Sequence, residues 1–117
     1  MKPEKKFENQ VKEFLNDRGI WVLKTWSNGI QREGVPDLVT CVNGLFVAVE
    51  LKAPKGKPSK LQLWNIEKIR AAGGIGIVLY PSMYDQFKRM IELLLEGNPN
   101  AKKLQYIFDK EEWERIK

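Results

Sequence analysis

Residues 35–52 read VPDLVTCVNGLFVAVELK, and this stretch decides the fold. Two runs of apolar and β-branched residues, 38–42 and 45–51, flank an Asn-Gly dipeptide at positions 43 and 44. Such runs are typical of β-strands. An Asn-Gly pair between them is the strongest short signal for a hairpin with a two-residue turn. The stretch therefore predicts two antiparallel strands around which the rest of the chain is arranged.

Three charged residues interrupt this apolar stretch: Asp37 near its start, and Glu50 and Lys52 at its end. In a hairpin with a two-residue turn, Val42 pairs with Leu45, and all other pairs lie symmetrically about the turn. Asp37 then faces Glu50 on the same side of the sheet, with their Cβ atoms about 4.5–5.5 Å apart. Lys52 is two residues after Glu50, so its side chain lies on the same face, at the end of the strand.

Two opposed carboxylates destabilise a sheet unless a cation lies between them. Asp37, Glu50 and a nearby backbone carbonyl suit Mg²⁺ or Mn²⁺, with positions left for water and phosphate. Lys52 would then orient the attacking water or stabilise negative charge on a phosphate. The residues alone leave a second interpretation open, in which a bulge shifts the hairpin and these are ordinary charges at a solvated strand end.

Length and composition restrict the class of protein. The chain has 117 residues and a net charge of +5, which indicates one domain over residues 1–117 and favours a polyanionic partner. The lone Cys41 excludes an internal disulfide, and the absence of histidine removes His-containing triads and the usual zinc ligands. No signal peptide or membrane span is recognisable. We therefore expect a cytoplasmic protein whose metal, if any, is held by oxygen.

The remaining elements follow from apolar periodicity and from helix start and stop signals. Ser59 and Gln62 have the spacing of a capping box at the start of a helix. We expect helices over residues 3–18, 59–72 and 83–96, strands over 20–26, 75–80 and 104–108, and a short C-terminal helix capped by Asp109. The core order is α-β-β-β-α-β-α. It predicts an α/β fold, with a mixed β-sheet flanked by helices.

Several motifs together resemble one nuclease family. They are GVPDLV at 34–39, the Asn-Gly hairpin, ELKAP at 50–54, a basic loop, and S-x-x-Q opening a helix. This pattern resembles the VRR-NUC domain, a branch of the PD-(D/E)xK nuclease superfamily, over residues 5–82. The resemblance implies a restriction-endonuclease-like core. It also implies a single VRR-NUC-like domain of the small, stand-alone type found in phages and bacteria.

The resemblance also implies roles for the hairpin residues. Asp37 and Glu50 would bind the metal, with the carbonyl of Leu51 as a further ligand. Lys52 would be the catalytic lysine, and the reaction would be hydrolysis of a phosphodiester that leaves a 5′-phosphate and a 3′-hydroxyl.

Two further catalytic candidates lie on helices. Glu8 falls where the family has a glutamate that completes the acidic site, with Glu4 as the alternative one turn earlier. Without the resemblance, Glu8 would be read as a solvated helix residue. Gln62 matches a glutamine that reaches the site in the family, and it also fits the capping box with Ser59.

The implied function is a metal-dependent, structure-selective DNA endonuclease, a homodimeric Holliday-junction resolvase that uses Mg²⁺ or Mn²⁺. The alternatives are a flap, nick or general duplex nuclease in phage DNA processing, and a catalytically inactive nucleic-acid-binding module. The helix over 83–96 and Trp113 are candidate dimer contacts. The predicted DNA contacts flank the carboxylates; they are Lys24, Ser27, Arg32, Lys55, Lys57 and Lys60.

Overall fold

The structure, a computed structural model, describes residues 2–25 and 33–109. Its helices are α1 (Pro3–Asp17), α2 (Lys60–Ala71) and α3 (Tyr84–Leu95). Its strands are β1 (Trp21–Lys24), β2 (Leu38–Val42), β3 (Leu45–Leu51) and β4 (Ile75–Leu79). Two 3₁₀ helices, Pro81–Met83 and Ala101–Phe108, complete the described part. The predicted core order is confirmed, with most boundaries within a residue or two.

The strands form one mixed sheet in the order β1-β2-β3-β4. The first three strands are antiparallel, and β4 joins β3 in parallel after the crossover through α2. Asn43 and Gly44 both have positive φ, 49° and 84°, as a tight hairpin turn requires. Val42 pairs with Leu45 without a bulge. The predicted register is therefore confirmed as far as the pair Leu38 and Val49, which Asp37 and Glu50 directly adjoin.

Helices cover the two faces of the sheet unequally. On one face, α1, α3 and the second 3₁₀ helix pack over the main core, which includes Leu38, Val47, Ile77 and Phe87. On the other face, a smaller cluster around Ile66 joins α2 to β4. The β4 strand is buried along its whole length, which explains its continuous apolar sequence. This arrangement confirms the α/β, restriction-endonuclease-like core.

The strand predicted over residues 104–108 is wrong, because this segment belongs to the 3₁₀ helix Ala101–Phe108. Its β-branched and aromatic residues suggested a strand, but the edge of β4 where it would pair is already occupied. The N–H of Gly76 donates to Oε1 of Gln105 (3.0 Å), and its carbonyl accepts from Nε of Arg70 (2.9 Å). These side chains occupy the backbone N–H and carbonyl groups with which an added strand would pair. The helix expected after Asp109 lies outside the described residues.

The apolar residues of α3 mostly serve the core. Met90, Ile91 and Leu94 are buried, Leu93 packs against the main core, and Leu95 is 41% exposed. Ordinary packing thus accounts for most of the helix that was a candidate dimer contact. Trp113, the other candidate, lies outside the described residues. In the described ranges, every helix is too short or too polar to cross a membrane.

Candidate active site

Two carboxylates lie at the open end of the β2–β3 hairpin. Asp37 immediately precedes β2, and Glu50 is the penultimate residue of β3. Oδ2 of Asp37 accepts a hydrogen bond of 2.9 Å from the N–H of Leu51, which holds Asp37 against the neighbouring strand. The side chain of Glu50 is 3% exposed and that of Asp37 is 26% exposed. One carboxylate is therefore buried, and its neighbour is partly exposed to solvent.

The two oxygens of Glu50 have different surroundings. Oε2 accepts a hydrogen bond from Nε2 of Gln62 (2.9 Å) and lies 3.4 Å from Nζ of Lys52. Oε1 is buried and has no hydrogen-bond partner, an unfavourable state for an acceptor. Burial first, and then the charge of Asp37, raise the pKa of Glu50 to about 8, although Lys52 opposes this. A cation at Oε1 would supply the missing partner and favour the ionised carboxylate.

Lys52 is anchored at the end of β3. Its N–H donates to the carbonyl of Leu79 (3.0 Å), which extends the pairing with β4. Its side chain is 15% exposed. The ammonium group is thus held beside Glu50 while part of the side chain remains accessible to a ligand.

Gln62 makes both of the contacts that its position suggested. Its Oε1 accepts from the N–H of Ser59 (2.8 Å), and its N–H donates to Oγ of Ser59 (3.1 Å), so the capping box is complete. Its Nε2 donates to Glu50. An amide side chain has an acceptor end and a donor end. Gln62 can therefore cap the start of α2 and orient the buried carboxylate of Glu50 at the same time.

Glu8 is buried, which contradicts its interpretation as a solvated helix residue. Its Oε1 lies 2.7 Å from Nζ of Lys24, and its Oε2 lies 2.8 Å from Lys5 and 3.3 Å from Lys12. Burial acts to raise the pKa of Glu8, but hydrogen bonds from Lys24 and Lys5 outweigh it and lower the pKa to about 2. Glu4, the alternative, is exposed.

Lys24 connects Glu8 to the hairpin site. Its Nζ lies 3.7 Å from Oδ1 of Asp37 as well as 2.7 Å from Glu8. Burial works against the charged ammonium, but Glu8 and Asp37 together outweigh it and raise the pKa of Lys24. Glu8 therefore faces Asp37 across an ammonium group.

Sequence reasoning missed Lys5 and Lys12, although a signal was present. They stand three residues before and four residues after Glu8, the spacing at which helical side chains meet. It also missed two residues that hold the loop before β2. Oγ1 of Thr25 donates to the carbonyl of Pro36 (2.8 Å), and Nδ2 of Asn65 donates to that of Gly34 (3.0 Å).

Gly34 allows this loop to approach α2 closely. It has a φ of 78°, and a Cβ atom at this position would lie 2.7 Å from Cγ of Leu61. The glycine before V-P-D is therefore required both by its backbone conformation and by the lack of space.

The predicted DNA contacts are distributed around the site. Lys24 lies at the carboxylates, whereas Lys55, Lys57 and Lys60 are exposed on the loop before α2 and at its first residue. Ser27 and Arg32 lie outside the described residues.

The donor set for a metal consists of oxygen. Within residues 2–25 and 33–109, no three or more His, Cys, Asp or Glu side chains converge to form a metal centre. What the site offers is the pair Asp37 and Glu50, with the carbonyl of Leu51, the residue that directly follows Glu50. Mg²⁺ and similar ions are commonly held by one or two carboxylates together with water and substrate phosphate. The unpartnered Oε1 of Glu50 shows that these residues fit such an ion.

A known family matches the part of the chain that carries these residues. The family model of the archaeal Holliday junction resolvase (Hjc) matches residues 2–73, a range that includes all five predicted catalytic residues. No curated protein matches the chain. The family is of the PD-(D/E)xK nuclease type, so the superfamily resemblance is confirmed. Because the match spans more than half of the chain, the protein belongs to the archaeal Holliday junction resolvase family, whose members are structure-selective, metal-dependent nucleases acting on DNA junctions.

Proposed function

We propose that the protein is a Mg²⁺- or Mn²⁺-dependent endodeoxyribonuclease that acts as a homodimer and cleaves phosphodiester bonds in four-way DNA junctions. The observation that carries this proposal is the buried Glu50. It lies opposite Asp37, contacts Lys52 and Gln62, and keeps one oxygen without a partner. A carboxylate in this state is costly to a fold, which supports its use as a ligand.

The chain's own groups have distinct roles in this proposal. Asp37 and Glu50, with the carbonyl of Leu51, would hold the ion, which when bound would polarise the phosphate and lower the pKa of its water. Gln62 occupies Oε2 of Glu50 and leaves Oε1 for the ion. Lys52 orients the attacking water and stabilises the negative charge that develops on the phosphate.

Phosphate contacts would supply most of the affinity for DNA, with little sequence information. The exposed Lys55, Lys57 and Lys60 support this role, and we extend it to Ser27 and Arg32.

Within the nuclease superfamily, the GVPDLV and ELKAP motifs still favour a VRR-NUC-like domain of phage or bacterial type. Activity on genomic or phage DNA would place the protein in the cytoplasm.

We test the proposed function with end-labelled four-way junction, flap, nicked and plain duplex DNA, each with Mg²⁺, with Mn²⁺ and with EDTA. We expect paired, symmetric cuts in the junction that disappear in EDTA. Cutting of flaps, nicks or duplex in preference to the junction would instead support a nuclease of broader DNA processing. Junction binding with no metal-dependent cleavage would identify a binding module and contradict the proposal.

A homodimer suits a substrate with two equivalent strands, because each chain presents one carboxylate pair. Exposed apolar side chains from β1 and β3 lie on the face that carries Asp37 and Glu50. We call Trp21, Leu23 and Phe46 the sheet patch; they are 60%, 47% and 48% exposed. Strand pairing places them on the site's face, whereas α2 packs mainly against β4. Exposed apolar patches commonly mark interfaces, and we assign this one to the second copy.

Phe46→Lys should therefore convert the dimer to a monomer. A lysine at the centre of an apolar contact should weaken association by at least about 30-fold, the effect expected of an interface hot spot. Light scattering after size-exclusion chromatography would measure it. Leu95→Lys on α3 is the matched control, since Leu95 is exposed to a similar degree (41%), and it should remain dimeric. The reverse result would move the interface to α3, and a monomeric wild-type protein would contradict the dimer.

A further inference from the structure

An ammonium group stands between the two acidic elements of the site. Nζ of Lys24 lies 2.7 Å from Oε1 of Glu8 and 3.7 Å from Oδ1 of Asp37. The other oxygen of Glu8 is contacted by Lys5 at 2.8 Å and by Lys12 at 3.3 Å. Both oxygens of Glu8 thus have lysine partners, whereas Glu50 keeps a buried oxygen without one.

The charged groups around Glu8 also differ from those around the carboxylates of the hairpin. Around Glu8, three ammonium groups surround one carboxylate, so a divalent cation would be repelled and would have to displace Lys24. At the hairpin, the Leu51 N–H orients Asp37, and the ammonium groups of Lys24 and Lys52 balance the two carboxylate charges. Oε1 of Glu50 nevertheless stays buried without a partner. Of these two carboxylate positions, a divalent ion therefore finds an unoccupied, desolvated oxygen at the hairpin and none at Glu8.

We propose that Lys24 takes the place of a second divalent cation, so that each chain binds one metal ion, and that Glu8 is a positioning residue for Lys24 rather than a metal ligand. This inference rests on the proposed metal site at Asp37 and Glu50. The fixed ammonium supplies positive charge beside Asp37, where a nuclease with two ions would place its second one.

The arrangement is supported by the local sequence and by the packing of α1. Glu8 and its three lysine partners form a cluster with two parts. Lys5 and Lys12 are brought to Glu8 by helical spacing, so this part of the cluster forms within α1. Lys24 arrives from β1, and it contacts Glu8 only because α1 packs beside that strand. A metal bound through Glu8 would require both halves of the cluster to rearrange.

The test is a Mn²⁺ titration of the full chain without DNA, with free Mn²⁺ followed by electron paramagnetic resonance. We expect the wild-type chain to bind one Mn²⁺. Glu8→Gln should keep that ion with an affinity within about threefold, because only a distant charge is lost. Glu50→Gln, the control for a true ligand, should weaken binding by more than about tenfold. Lys24→Met should gain a second Mn²⁺ site, which Glu8→Gln should remove again in the double variant.

Three outcomes would overturn the inference: two Mn²⁺ ions on the wild-type chain, loss of an ion in Glu8→Gln, or a single ion on Lys24→Met. Circular dichroism checks that each variant is folded. Absence of Mn²⁺ binding by the wild-type chain would overturn the metal site of the proposed function and this inference with it. Binding of two Mn²⁺ ions by the wild-type chain would overturn this inference but would not contradict the proposed function.

Discussion

Replacing Lys52 by methionine should slow junction cleavage by about 10²–10³-fold while leaving junction binding nearly unchanged. The ammonium group lies 3.4 Å from Oε2 of Glu50, and the side chain is 15% exposed. It can therefore reach a phosphate at the carboxylates, but it offers little surface to the rest of the DNA. Methionine keeps most of the packing of the lysine stem and removes the charge. Single-turnover cleavage of labelled junction measures the rate, and a gel-shift assay in EDTA measures binding.

Lys55→Met is the matched control, because Lys55 is exposed on the loop that follows β3. Loss of one phosphate contact should weaken junction binding. It should also reduce by about 1 the slope of the logarithm of the binding constant against the logarithm of the salt concentration. At saturating protein, the cleavage rate should stay within a few-fold of wild type. A Lys52→Met protein that cuts at the wild-type rate would show that the catalytic assignment is wrong. Equal losses in cutting and binding would make Lys52 a binding residue instead.

Glu50→Gln should abolish metal-dependent cleavage and yet stabilise the metal-free protein at alkaline pH. The pKa of Glu50 is about 8 in the folded protein, against an ordinary value of 4.5. The folded state thus holds this proton more tightly than the unfolded state. Its contribution to stability is fully present below about pH 4.5 and is lost as the pH rises through about 8. Glutamine stays neutral, so the variant avoids this loss.

Thermal unfolding in EDTA between pH 5 and pH 9 measures the effect. At pH 9 the variant should melt roughly 5–10 °C above wild type, which corresponds to on the order of 1–2 kcal/mol. Mg²⁺ should then raise the melting temperature of wild type and leave that of the variant unchanged. A wild-type melting temperature that does not fall between pH 5 and pH 9 would contradict the assignment of a costly buried carboxylate.

Glu8 does not interfere with this comparison, because its pKa is shifted in the opposite direction. A folded pKa of about 2 means that Glu8 stabilises the protein above about pH 4.5. That stabilisation is lost only as the pH falls towards 2. The two carboxylates therefore act in separate pH windows.

The hairpin shows which features were predictable from sequence. A two-residue Asn-Gly turn permits one register, and side chains alternate strictly along each strand. Together these rules placed Asp37 opposite Glu50 before any packing was known. The capping box of Ser59 and Gln62 was equally predictable, since both residues lie within one helical turn.

Residues 104–108 show where this reasoning failed. Strand propensity describes a residue's own preference, and tertiary contacts override it. Buried Gln105 and Phe108 instead follow helical spacing, and Gln105 together with Arg70 occupies the edge of β4 that a strand would need.

The amino-acid sequence by itself determined the hairpin, its register and the carboxylate pair, because turn geometry and side-chain alternation act between near neighbours. Only the tertiary structure decided the state of these groups. Burial of Glu50, its contact with Gln62, and the position of Lys24 between Glu8 and Asp37 all depend on how α1 and α2 pack against the sheet. Those contacts join residues that are distant in the chain, and no local pattern specifies them. The site's charge balance is therefore a property of packing, whereas its pair of carboxylates is a property of the hairpin.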